Sequence, residues 1–157
     1  MLNASQMQTL ATALRAETTD GIGAIATARA NDVLLAEWCN AASAQDAWNP
    51  TMMDKMLFEA TDVAKFDNLT AGKRDAWRLM LEFAPVDFAR NKMRKAVTDV
   101  WGNTDSVAVL QACVRKATNG EKYLGGTAAT ENTVTAWKLS VPGYISLDDV
   151  SNSLNLY

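Results

Sequence analysis

Apolar residues recur at helical spacing along most of this chain, and one late stretch breaks that rhythm. Met7, Leu10, Ala11 and Leu14 form a stripe three and four residues apart, preceded by Asn3, which can cap a helix, and Gln6 in capping-box position. Asp20 is placed to cap a second helix from Gly21 to about Ala30, and Asn49-Pro50 opens a third with Met52, Met53, Met56, Leu57 and Ala60 inward. Thr70 starts a fourth helix running to about Leu81, with Trp77, Met80 and Leu81 inward, and Asp87 starts a fifth that Gly102-Asn103 ends. A sixth is predicted from about Asp105 to Tyr123, with Val107, Leu110, Cys113, Val114 and Ala117 on one face. Val33–Trp38 reads equally as helix or as a short extended piece, and Asn40–Trp48 reads as a small, polar loop.

The exception is Thr133 to Val141. Trp137, Leu139 and Val141 alternate with Lys138 and Ser140, the period of a half-buried strand. A strand cannot satisfy its own N–H and C=O groups, and Val33–Trp38 is the one other segment that reads as a partner. Failing that, the partner belongs to another chain. Ahead of the strand, Leu124 to Thr130 reads as a flexible Gly/Thr connector. After it come a Pro142-Gly143 turn and the capping-box pattern Ser146-Leu147-Asp148-Asp149 of a short terminal helix. The fold expected is mainly α: a bundle of five to six helices over residues 3–124, and an extension over 125–157 with one strand or hairpin and a short helix.

Composition narrows the chemistry. There is no histidine among the 157 residues, which removes the usual neutral-pH base, the imidazole metal ligand and every Ser-His or Cys-His couple. Cys39 and Cys113 match no metal or redox spacing and read as small apolar side chains in a reduced, cytosolic setting. No signal peptide opens the chain, and no apolar run approaches the length of a membrane span. Gly21-Ile22-Gly23 lacks the preceding strand and third glycine of a dinucleotide fingerprint, and Gly125-Gly126-Thr127 lacks the lysine of a phosphate loop, so no cofactor is expected. Asp62, Asp67 and Asp75, like Asp148 and Asp149, lack the ligand rhythm of a calcium loop, so no metal is expected either.

The net charge of −3 is unevenly spread: residues 73–122 carry ten basic and six acidic side chains, while both flanks are acidic. Within that band Arg90, Arg94 and Lys95 share a helix face; they read as a solvated face or as a charged contact with an acidic neighbour or with DNA. Five tryptophans and seven methionines suit both cores and adaptable contacts. Trp137, Leu139, Val141 and Tyr144, with Leu154, Leu156 and Tyr157 at the end, are the candidate docking anchors, because apolar residues near a terminus are awkward in water.

Several stretches carry a resemblance: Thr18-Thr19-Asp20-Gly21, Leu69-Thr70-Ala71-Gly72-Lys73-Arg74-Asp75-Ala76-Trp77, Arg115 to Leu124, and Ile145-Ser146-Leu147-Asp148-Asp149-Val150. In this order they make the chain resemble small virion proteins from the head-and-neck gene cluster of tailed bacteriophages. The chain departs from the pattern over Val33–Trp48, where prolines and aromatic extended sequence are expected. The resemblance implies a non-enzymatic subunit of the particle, foremost a head-to-tail connector (adaptor) ring protein whose C-terminal extension docks on the portal. Its partners would be copies of itself in a ring, the portal and tail-side neck proteins, with packaged DNA passing nearby. Alternatives are a capsid decoration or tail completion protein, or a helical adaptor for a host protein. On the connector reading, deleting 143–157 should abolish attachment and leave the helical fold intact.

Overall fold

A computed structural model describes residues 1–156; Tyr157, one of the expected anchors, lies outside the described residues. In chain order the elements are α1 (Ala4–Ala16), a short 3-10 turn (Thr19–Gly21), α2 (Ile22–Ala28), α3 (Asp32–Asn40), β1 (Ala42–Trp48), α4 (Asp54–Glu59) and α5 (Val63–Asp67). They continue with α6 (Ala71–Glu82), α7 (Asn91–Ala112), β2 (Val114–Thr118), α8 (Asn119–Leu124), β3 (Gly126–Glu131), β4 (Val134–Leu139) and α9 (Leu147–Leu156).

The mainly α expectation is overturned. Four strands form one mixed sheet in the order β2-β1-β4-β3, and nine helices accompany it among the described residues, so the fold is mixed α and β. Three segments account for the difference, one of them the expected Gly/Thr connector, which is strand β3. The polar stretch taken as a loop is β1, which pairs in parallel with β4, Ala47 opposite Trp137. The segment taken as the tail of a long sixth helix turns into β2 at Val114, after Cys113 closes α7. Val33–Trp38 is helical, inside α3, with Asn31 capping it through the Leu34 N–H at 3.0 Å. The late strand therefore finds its hydrogen-bonding neighbours within its own chain, β1 on one side and β3 on the other.

Three expected helix starts shift: Gly21 and not Asp20 is the N-cap of α2, α4 begins at Asp54 rather than after Asn49-Pro50, and α7 begins at Asn91, beyond Asp87. Other local signals match. Asn3 and Gln6 form the capping box of α1, α6 begins after Thr70, and Ser146 with Asp149 caps α9. Gly102 interrupts α7 with φ +77 and ψ 171, at the place where two separate helices are predicted.

The chain divides into two compact units along a different line from the expected 3–124 and 125–157. Unit 1 comprises 1–45, 116–126 and 139–157, and unit 2 comprises 46–115 and 127–138. In unit 1, α1 packs on α2, α8 and α9, burying Leu10, Leu14, Ile22, Leu35, Cys39, Ile145, Val150 and Leu154. The segment expected to extend outward is stitched into this core. The Asn40 side chain donates to Ile145 O (2.8 Å) and accepts from Ile145 N (3.0 Å). The buried Glu121 carboxylate accepts from Gly143 N at 2.6 Å and from Thr118 N at 2.9 Å. Asp149 accepts from Leu2 N at 2.8 Å, and Ser151 donates to Asp32 at 2.6 Å.

Unit 2 is built on aromatics. Trp77 and Trp101 meet edge to face at 5.3 Å, and Trp77 Nε1 donates to Thr61 Oγ1 at 3.0 Å. Trp48 Nε1 donates to Ala129 O at 2.9 Å. Leu57, Met80, Phe88, Val97, Leu110 and Cys113 fill the remainder of this core.

Candidate functional site

Chemistry-bearing side chains are mostly consumed by the fold. Asp62 caps α5, accepting from Lys65 N, while Asp75 lies 3.8 Å from Arg78. Asp149 is buried and locked between Ser146 and Leu2. Its burial works to raise its pKa, but hydrogen bonds from the Ser146 hydroxyl, Leu2 N–H and Ser146 N–H outweigh it and hold the carboxyl below the ordinary range. Glu17 is lowered too, chiefly by the Thr19 hydroxyl and the Thr19 and Thr18 amides, and it also takes the Tyr123 hydroxyl. Cys39 and Cys113 are fully buried, and desolvation pushes both thiols up to about 12. Among the described residues no three His, Cys, Asp or Glu side chains gather as a metal site would require. Gly21 takes the left-handed turn into α2 at φ +73, and at Gly23 a Cβ would lie 2.4 Å from Glu17 O, so the first glycine serves a turn and the second a close backbone approach.

Of the three cations expected on one solvated face, two lie there and Arg94 does not. Arg90 is exposed and paired with Asp87 at 3.0 Å, and Lys95 is exposed and paired with Asp99 at 3.2 Å. Arg94 points the other way and is 4% exposed. Its guanidinium lies over the Trp48 ring at 5.0 Å and donates to Phe88 O (2.7 Å) and Ala89 O (2.9 Å), closing the turn before α7. Desolvation lowers its pKa, with Glu131 and Asp87 opposing.

The expected docking anchors are likewise divided. Leu139 and Leu154 are buried, and Val141 packs against the core of unit 1. Trp137 is half-buried on the sheet. Among the described anchors, Tyr144 and Leu156 stand out in solvent, at 76% and 63% exposure.

A bare apolar surface beside α6 is one that periodicity missed. On α6, Trp77 and Met80 face the core, while Leu79 and, just past the helix end, the C-cap residue Phe83 are 51% and 73% exposed. With Met80, Pro85, Val86 and Met93 they line an open groove of about 450 Å³, and the Arg90–Asp87 pair stands at its edge. On the opposite flank of α6, Phe58 and Val63 are also bare, beside Phe66 and Leu81. Between the flanks runs a charged ridge of Asp75, Arg78 and Glu82. Leu79 was the available signal: it is a large apolar residue lying off the expected inner stripe of Trp77, Met80 and Leu81.

The arrangement places apolar side chains around an open groove, with the Arg90–Asp87 ion pair at its rim, and such a surface can take up an apolar partner. No helix among the described residues is long and apolar enough to cross a membrane. Comparison with protein-family models, with curated proteins and with solved structures finds no match.

Proposed function

We propose that the chain is a non-enzymatic structural subunit of a tailed-bacteriophage particle, a head-to-tail connector (adaptor) ring protein of the virion neck. The observation that carries it is the bare apolar surface of α6. Leu79 and Phe83 remain in solvent beside a groove although two cores are already filled. Contiguous exposed surface of this kind marks a site that another molecule covers. Tyr144 and Leu156 add bare side chains from the C-terminal segment. The lack of any histidine leaves the chain without the usual base for catalysis at neutral pH. The phage assignment itself rests on the order of motifs from Thr18 to Val150.

On this reading the neighbours are copies of the chain, the portal and tail-side neck proteins, and packaged DNA passes nearby. Attachment works by side chains docking on preformed surfaces. Donation of the late strand, the mechanism its isolation first implied, is replaced, because β4 is paired within the chain.

Quantitative mass spectrometry and imaging of purified particles test the reading. The chain should be present in portal-like copy number at the neck. Copy numbers in the hundreds would assign it to the capsid surface instead, and absence from the particle would end the virion reading.

A further inference from the structure

The open hydrogen-bonding edge expected of the late strand belongs instead to β3. This strand is last in the sheet order, so only one of its sides has a neighbour. The register across the β3–β4 hairpin identifies the groups left over. Thr130 and Thr135 touch hydroxyl to hydroxyl at 2.8 Å, and Ser140 N donates to Gly125 O at 2.9 Å. Odd-numbered residues of β3 therefore aim their backbone groups at β4, and the N–H and C=O of Ala128 and Thr130 aim outward. Thr127, Ala128 and Thr130 are exposed.

Proteins blunt such edges with lysine, proline, bulges or a covering segment. The opposite edge strand, β2, carries Arg115 and Lys116. β3 reads Gly-Thr-Ala-Ala-Thr-Glu, with no cation, no proline and small side chains on both faces. We propose that β3 pairs antiparallel with β3 of a second copy, joining two sheets across a two-fold axis. Charge selects this occupant. Centred on Ala129, the pair sets Glu131 against Thr127 of the other copy; centred on Ala128, it sets Glu131 against Gly125. Neither centre opposes two carboxylates, whereas a two-fold pair of β2 strands would bring its own cations together. The half-buried Trp137 stands on β4 across from Ala128, one strand in from the junction, and adds apolar surface to it. The pair belongs to the free chain and does not depend on the virion reading; a polar ring, built from head-to-tail contacts, would separate it on assembly.

Sedimentation of the full chain over a concentration series, with amide hydrogen exchange at both ends of the series, tests this. Expected are a reversible dimer and Ala128 and Thr130 amides that exchange slowly when concentrated and faster on dilution. Ala128→Pro, which removes an outward donor at a position where an edge strand tolerates proline, should weaken the dimer about tenfold or more with unchanged circular dichroism. A chain monomeric throughout overturns the proposal, as does a dimer whose Ala128 and Thr130 amides stay unprotected. Protection that appears only when a different protein is added also overturns it. Should the proline variant fail to fold, the exchange rates of the unaltered chain decide.

Discussion

Arg94 shows how far a side chain's role departs from its sequence neighbourhood. It sits in a run of four cations between residues 90 and 95, yet it alone is buried, closing a turn and stacking on Trp48. Arg94→Ala should cost about 2–4 kcal/mol in chemical denaturation, because two carbonyls lose a charged donor and the indole loses its cover. Arg90→Ala and Lys95→Ala should each stay within about 0.5 kcal/mol, since both side chains form exposed pairs. An Arg94 variant that fails to attach therefore says nothing about DNA or an acidic partner. Asp149 gives a pH signature in the same unit as Glu17. Its pKa is depressed in the fold below 3.8, so its contribution to stability is complete above that value and is lost as pH falls through the folded pKa. Acid titration followed by near-ultraviolet dichroism should show a loss of stability in that range, and Asp149→Asn should flatten it. A profile unchanged by the substitution would contradict the assignment.

At the scale of elements, α6 is the clearest case of one helix serving two masters. Its inner stripe, Trp77 and Met80, holds the core of unit 2, and its outer flank, Leu79 and Phe83, does no packing that shields it from water. Replacing Leu79 and Phe83 together by serine should leave the melting temperature nearly unchanged, or raise solubility, while abolishing incorporation into particles. Trp77→Ala should instead cost about 3–5 kcal/mol, because it empties the ring contact with Trp101, leaves a cavity in the core of unit 2 and removes the indole donor to Thr61. If the Leu79/Phe83 pair proves as destabilising as Trp77, the groove is part of the core and not a docking surface. The helix–strand boundary at Cys113 carries a related lesson. Val114 and Ala117 fit a helical stripe by spacing, but Thr118 with Glu121 forms a capping box that starts α8 afresh. A helix beginning at Asn119 cannot be the continuation of one that ended at Ala112.

For the molecule as a whole, the C-terminal segment is a structural member and not an appendage. Val150, Leu154 and Ile145 lie in the core of unit 1, and Arg15 donates to Leu154 O at 3.2 Å. Deleting 143–157 should therefore unfold unit 1 rather than leave a helical body lacking only its attachment. Point changes at Tyr144 and Leu156, which lie in solvent, test docking without that penalty. The two buried cysteines, one in each unit, supply a direct readout. Neither thiol should react with iodoacetamide at neutral pH in the native chain, and each should become reactive only as its own unit opens in denaturant. In the 143–157 deletion, Cys39 should label at once and Cys113 should stay protected. Rapid native labelling of both would contradict the burial described above.

What could be read from the residues in order was local chemistry. Capping at Asn3 and Ser146, the break at Gly102 and the alternation after Thr133 each depend on groups within a few positions of one another. Those signals survive whatever the rest of the chain does. The absence of histidine and of metal spacing was legible for the same reason. β1 was not, because Ala-Ser-Ala-Gln-Asp-Ala is a poor strand by propensity and becomes one by lying between β2 and β4. Pairing across that distance also decided that β4 needed no outside partner, and it passed the open edge to a Gly/Thr stretch that looked like a linker. Burial likewise sorted equal-looking residues: Leu154 inside and Leu156 outside, Arg94 inside and Arg90 outside. Spacing along a chain says which side chains share a face; only the arrival of distant elements says which face is covered.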